Sequence, residues 1–258
     1  MSYVVVVPAY RETPFVEERY ALLQLRRLAI KNVTLVCPSS LNTSAYQILF
    51  PEIAIVRFEP IHFQDLSHYN RLVSSAFFYQ HFASDYQWLL MHQLDAFLLD
   101  DRIDYFCQLG YDYYGAPWKE GVDSPLFLFN RRLFKRWGSR FYVGNGGFSL
   151  RQLQNTINLL IRKRNHVSHH LFLEDLFFGY WGTHDSHFQA CPSDIAASFS
   201  LETNPRYWMT KLSEQPMGLH APFKWDAEFY LKLLRPQYDQ IDMKYPEFAL
   251  SSSGGFNY

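Results

Sequence analysis

Strand-length apolar runs alternate with helical stretches through the first hundred residues, and this alternation constrains the fold more than any other feature. Tyr3 to Val7 is followed by a helical stretch from Val16 to Ile30 and a second apolar run from Val33 to Cys37. A short helix near Ser44 to Leu49 and a third run from Ile53 to Phe58 continue the series. Parallel strands need long crossovers, usually helical, so the pattern predicts an α/β chain with a mostly parallel central sheet flanked by helices. Apolar residues at helical spacing between Tyr69 and Phe82 (Leu72, Ala76, Phe77 and Tyr79) predict a further helix. It leads into a buried strand over Tyr86 to His92, and the segment up to about residue 100 reads as a nucleotide-binding half.

The second half is less regular. A short helix is expected over Arg102 to Gln108, a strand over Tyr111 to Ala116, and a loop at Pro117-Trp118-Lys119-Glu120-Gly121. Arg131 to Trp137 reads as a basic-aromatic helix, Gly144 to Gly147 as a turn, and Leu150 to Lys163 as an amphipathic helix. With no internal repeat or low-complexity linker, residues 1–250 are read as one domain, divided into a nucleotide-binding half (1–100) and an acceptor-binding half (101–250). Residues 251–258 form a tail.

Formal net charge is -1, so no global field points to nucleic acid, and an anionic ligand must be held locally. Cys37, Cys107 and Cys191 are odd in number and widely spaced, which argues against a disulfide framework or a zinc site and fits a reducing cytosol. The apolar run after Tyr3 is too short for a signal peptide and stops at Pro8, and no segment reaches the roughly 20 apolar residues of a membrane span. The expectation is a cytoplasmic protein, soluble or peripheral to the inner face of the membrane.

Short polar signatures interrupt this apolar background. Gln93-Leu94-Asp95 follows a strand, where ligands of open α/β sheets sit; Asp95 there either holds a metal or sugar nucleotide or caps the following turn. Gly144-Asn145-Gly146-Gly147 matches neither a dinucleotide nor a P-loop motif. Its glycines either admit a ligand close to the backbone or simply make a tight turn. Glu174 and Asp175 open a helix about 100° apart, so only one faces a given substrate atom. They are either capping carboxylates or, in apolar surroundings that raise a carboxyl pKa, a general base. His220 is a lone histidine on an apolar stretch. His184 and His187 straddle Asp185 at a spacing open to metal, with a polar loop as the plainer reading. Tyr10, in Pro8-Ala9-Tyr10-Arg11-Glu12, could stack on a base, while Asn70 and Arg71 could address a diphosphate.

Taken in order, these segments resemble GT-A-fold glycosyltransferases, and look most like a bacterial branch catalogued as a domain of unknown function. The resemblance is carried by Val4 to Tyr10, Tyr69-Asn70-Arg71-Leu72, His92 to Phe97, Tyr111 to Trp118, Val143 to Arg151, Glu174 to Phe178 and Gly218-Leu219-His220. It implies a single GT-A-like (Rossmann-like) domain that moves a sugar from a nucleotide-sugar donor to a hydroxyl of a glycan or glycoconjugate acceptor. By the same resemblance Asp175 is the base of an inverting reaction, with Glu174 positioning base or acceptor. Pro8, Tyr10, Glu12, Asn70, Arg71, Gln93, Asp95, Gly146 and Gly147 address the donor, and Trp118 the acceptor. Asp95 and His220 would hold a divalent cation, Mn²⁺ or Mg²⁺, although Gln93 stands where the family's motif has its first Asp.

Two other readings compete. A nucleotidyltransferase would use Asp95 and metal to attack phosphorus, but Pro8 to Glu12 lacks the Gly- and basic-rich loop it needs. A non-catalytic carbohydrate-binding protein would stack sugars on Trp118, Tyr113, Tyr114 or Trp181. The run Arg131 to Trp137 could face an anionic glycan or a membrane surface, or be a solvated helix.

Overall fold

The computed structural model describes residues 1–123, 140–167 and 173–249. The strands are β1 (Tyr3–Pro8), β2 (Val33–Pro38), β3 (Ala54–Phe58), β4 (Trp88–His92), β5 (Ala96–Leu98) and β6 (Tyr113–Tyr114). They continue as β7 (Pro117–Asp123), β8 (Arg140–Val143), β9 (Phe148–Gln152), β10 (Ser200–Leu201) and β11 (Gly218–His220). The helices are α1 (Val16–Arg27), α2 (Ser44–Leu49), α3 (Leu66–Val73), α4 (Ala76–Gln80), α5 (Ile103–Gln108) and α6 (Leu153–Arg162). After them come α7 (Arg164–Val167), α8 (Glu174–His184), α9 (Ser193–Phe199), α10 (Pro205–Met209), α11 (Pro222–Trp225) and α12 (Ala227–Lys244).

The main sheet has six strands in the order β3-β2-β1-β4-β9-β6. Only β9 runs against the others, pairing antiparallel with β4 and β6, so the sheet is mostly parallel. Val4, Val5, Val6 and Val7 of β1 are fully buried, as expected of a central strand covered on both faces. From β1 the chain winds outward to β2 and β3, then returns to place β4 on the other side of β1. The carboxyl ends of β1 and β4 therefore flank a topological switch point, where open α/β sheets bind ligands. A smaller sheet, β10-β11-β5, pins the C-terminal segment beside that point.

α1 begins at the Phe15 cap, whose N–H donates to Glu18 Oε2 at 2.7 Å, and carries Glu17 and Glu18 in its first turn and Arg26 and Arg27 in its last. Its buried face includes Leu22, Leu23, Leu25 and Gln24, whose amide donates to the Leu98 carbonyl at 2.8 Å. α12, beyond the elements expected from the sequence, packs on α1, and Tyr20 Oη donates to Asp242 at 2.6 Å.

Four local expectations are corrected. The helix expected over Tyr69 to Phe82 is two helices, α3 and α4, because Ser75 caps a new start with its hydroxyl accepting from the Phe78 N–H. The expected loop from Pro117 is strand β7, irregular where Gly121 takes a left-handed φ of 67°. The expected strand over Tyr111 to Ala116 shrinks to Tyr113–Tyr114. The helix expected from Leu150 begins at Leu153: Phe148–Gln152 forms β9, because both of its edges are taken by β4 and β6. The expected helix over Arg131 to Trp137 and the tail 251–258 lie outside the described residues. Among the described residues no helix is long and apolar enough to cross a membrane.

Candidate functional site

β4 delivers Gln93, Leu94 and Asp95 to the switch point. The Gln93 N–H donates to the Gly147 carbonyl at 2.7 Å, and the Gln93 carbonyl accepts from Ala96 N–H at 2.9 Å, turning the chain into β5. β11 pairs with β5 so that His220 lies opposite Ala96. The ring of His220, 13% exposed, is held from two sides. Its Nδ1–H donates to Glu202 Oε1 at 3.1 Å, and its Nε2 faces Gln93 Oε1 at 3.3 Å and Asp95 Oδ1 at 3.5 Å. Burial works against a charge on this imidazole, but the hydrogen bonds and charges of Asp95 and Glu202 outweigh it and raise its pKa to about 9. Burial likewise opposes ionisation of Asp95, yet its hydrogen bond to His220 holds the carboxyl below the usual range.

The turn Gly144 to Gly147 joins β8 to β9. Asn145 adopts a left-handed φ of 78°, and its Oδ1 accepts from the Gly147 N–H at 3.0 Å. The glycines at 146 and 147 answer a need for space: a Cβ on Gly146 would collide with the Glu174 carboxylate, and one on Gly147 with the His220 ring. Gly144 is covered in the same way by the indole of Trp118. Three of the sequence signatures thus touch the fourth.

α8 starts at Glu174, whose N–H donates to Asn70 Oδ1 at 3.4 Å. The Glu174 side chain is buried and ion-paired with Arg151 of β9. Arg151, with no solvent exposure, also donates to Ser149 Oγ at 2.7 Å, to the Gly146 carbonyl at 3.2 Å and to Tyr79 Oη. The ring of Phe178 lies 4.7 Å from its guanidinium carbon. Burial pushes the Glu174 carboxyl up to about 7 against the pull of Arg151. Asp175 is half-buried, its Oδ1 accepts from the Leu176 N–H at 2.8 Å, and burial raises its carboxyl, with the charges of Glu202 and His220 also reaching it. Of the adjacent acids, Glu174 is committed to Arg151 and Asp175 is the one with access to solvent.

A cleft of about 630 Å³ opens at the switch point and is lined by Pro8, Tyr10, Asp65, Tyr69, Gln93 and Asp95 among others. Tyr10 is 62% exposed, and Arg11 stacks on it and on Phe15, 4.8 and 3.8 Å from the ring centres, while pairing with Glu18 at 3.2 Å. Five expected donor residues do not line it: Asn70, which accepts from the Glu174 N–H, Gly146 and Gly147 of the turn, and two more. Glu12 stands exposed in the loop after β1, and Arg71 lies on the exposed face of α3, whose Tyr69 and Leu72 turn inward instead. Trp118 belongs to a separate groove. His184, Asp185 and His187 end α8 as a polar loop, with Asp185 paired to Arg162 and Lys163 at 2.9 and 3.1 Å. Cys37, Cys107 and Cys191 are free and buried.

Among the described residues no cluster of three or more His, Cys, Asp or Glu side chains is placed to hold a metal ion. A smaller donor set does exist, because His220 Nε2, Asp95 Oδ1 and Gln93 Oε1 face one another with Nδ1 already committed to Glu202. Imidazole and oxygen donors oriented by an outer carboxylate suit Mn²⁺ or Mg²⁺ completed by phosphate oxygens and water, and such an ion would displace the Nε2 proton.

Arg151 and Glu202 escaped the sequence reading. Arg151 sits in the stretch expected to be an amphipathic helix, and Glu202 follows a two-residue strand with no motif around it.

Residues 52–220 match a family model described as a protein of unknown function (DUF5672). The chain belongs to this family. No curated protein matches it. Among solved structures, the DUF5672 chain is similar to mouse xyloside xylosyltransferase 1 in its apo form, at 12% identity over 85% of this chain and 97% of that one, with a TM-score of 0.56. The galactosyltransferase LgtC, solved with donor and acceptor sugar analogues, is similar at 13% identity over 90% of this chain and 95% of that one, with a TM-score of 0.52. At these identities the likeness is one of fold, and the fold is GT-A-like.

Proposed function

We propose that the protein is a glycosyltransferase that moves a sugar from a nucleotide-sugar donor to a hydroxyl of a glycan or glycoconjugate, with inversion at the anomeric carbon. The observation that carries this reading is the meeting of Gln93, Gly147, His220 and Asp95 beside the cleft at the β1/β4 switch point, with Glu174 packed against Gly146 of the same turn. The GT-A-like fold of the two sugar transferases supports it.

The donor nucleotide occupies the cleft against Pro8 and Tyr10, and its diphosphate lies toward Gln93, Asp95 and His220. As the acceptor oxygen bonds to the anomeric carbon, its proton passes to Asp175, and the diphosphate leaves with the electrons of the broken C–O bond. A positioned base is worth roughly 10² to 10⁴ in rate. Charge on the leaving group is met locally: protonated His220 about 4 Å away would contribute on the order of 4 kcal/mol at an effective dielectric of 20. A divalent ion held by Asp95 and His220 would supply the same neutralisation when bound. Glu174 acts behind the surface, fixing Gly146 and the start of α8 through Arg151.

The test is Asp175→Asn assayed against nucleotide sugars. Transfer should fall by about 10² or more while nucleoside diphosphates still stabilise the fold, by about 2.7 kcal/mol at a hundredfold excess over Kd. Near-normal turnover would remove Asp175 from the role, and pyrophosphate as product would redirect the reaction to nucleotidyl transfer.

A further inference from the structure

A second concavity of about 520 Å³ is lined by Trp118, Thr203, Asn204, Tyr207 and Trp225, with two charged pairs at its edge. The aromatic rings are on display: Tyr207 is 38% and Trp225 48% exposed, whereas most aromatic residues among those described are buried. The charges that line the groove are paired, since Arg206 grips Asp226 at 2.7 and 3.1 Å and Lys119 pairs with Glu120 at 3.6 Å, while Lys211 and Lys224, outside the lining, stand over the Tyr207 and Trp225 rings at 5.7 and 5.1 Å. Lys119 also caps the Tyr207 ring at 4.9 Å. What remains is aromatic surface flanked by the hydroxyl of Thr203 and the amide of Asn204. A pyranose has the matching chemistry, with C–H faces for rings and hydroxyls for neutral polar groups.

Both walls of the groove are tied to the candidate site. Trp225 Nε1–H donates at 3.3 Å to Glu202 Oε1, the oxygen that also accepts from His220 Nδ1. On the other wall Trp118 lies over Gly144, the first residue of the turn that seats Glu174 and His220. One carboxylate and one turn therefore separate the aromatic groove from the groups assigned to the donor.

We infer that this groove is the acceptor subsite, that it takes a neutral pyranoside, and that Glu202 is the positioning residue shared by Trp225 and His220. The inference rests on the transferase reading and names the substrate class on its acceptor side.

The experiment is saturation-transfer NMR on the full chain with neutral methyl pyranosides and neutral disaccharides, using glucuronate and glucose 6-phosphate as charged probes. Alongside it, UDP, GDP, CDP and ADP are screened for thermal stabilisation. Neutral pyranosides should bind, and Trp225→Ala and Tyr207→Ala should each weaken them about tenfold, with Tyr207→Ala leaving nucleotide stabilisation unchanged. Trp225→Phe, which keeps a ring face and loses the N–H, should retain most sugar affinity, and this guards against a variant that merely unfolds. Protein that is stabilised by a nucleotide but ignores neutral pyranosides overturns the inference, as does equal sugar binding by all variants or a preference for the charged probes. Sugar binding without any nucleotide response would instead remove the donor, and with it the acceptor role of the groove.

Discussion

The carboxylate of Glu174, at the first turn of α8, is ion-paired with the guanidinium of Arg151, a β9 residue shielded entirely from solvent. The pair fastens a helix to the central sheet directly behind Gly146, whose carbonyl accepts from the same guanidinium. A carboxylate so engaged supports the site, which leaves Asp175 as the acid open to solvent.

Breaking this pair from one side should be costly. At pH 8, Arg151→Met leaves a buried carboxylate without its partner and should lose about 3–5 kcal/mol in denaturant unfolding. The double variant Arg151→Met with Glu174→Gln should recover a large part of that loss. Strictly additive costs would show that the two side chains are not coupled.

The same carboxyl makes stability depend on pH. Burial places its folded pKa at about 7, above its ordinary 4.5. Its contribution is therefore complete below about 4.5 and is lost as pH rises through about 7. Relative to Glu174→Gln, the wild-type chain should lose on the order of 2–3 kcal/mol between pH 5 and pH 8. Parallel unfolding curves for the two proteins across this window would contradict the shift.

Gly147 should not tolerate a methyl group. A Cβ there would sit 2.6 Å from Gln93 Oε1 and run into the His220 ring, and neither neighbour is a loose surface chain. Gly147→Ala should cost about 1–3 kcal/mol and weaken nucleoside diphosphate binding, both measurable by thermal shift with and without ligand. An unchanged melting temperature together with unchanged ligand response would show that the turn has slack.

Glu202 should matter through His220. Removing the acceptor of the Nδ1–H in Glu202→Ala should free the ring, lower Mn²⁺ affinity about 10- to 100-fold by calorimetry, and shift to lower pH the ¹⁵N titration that reports His220 protonation. Glu202→Gln keeps an oxygen acceptor and should fall between wild type and Glu202→Ala. Identical His220 titrations in all three proteins would deny Glu202 this role.

The first five alternating elements were legible because each declares itself locally. Val4 to Val7 form an uninterrupted apolar run, Val16–Arg27 repeats its apolar residues at helical spacing, and Ser44–Leu49 lies where a short crossover is needed. Past β4 the pattern is ambiguous at β9, because a strand buried between β4 and β6 and followed at once by α6 shares the apolar density of a helix. That ambiguity hides Arg151: on a helix an arginine goes to solvent, whereas in a central strand it points into the core and needs an anion.

The amino-acid order by itself determined the α/β alternation, the strand end that carries Asp95, the glycine turn and the helix that opens with Glu174 and Asp175, since period, capping and φ preference act over a few residues. Tertiary structure alone decided that Gln93 meets His220, 127 positions away, that Arg151 takes up Glu174, and that Glu202 joins His220 to Trp225. Those contacts are set by which strands pair and in what register, and electrostatic pairing across such separations leaves no periodic trace along the chain.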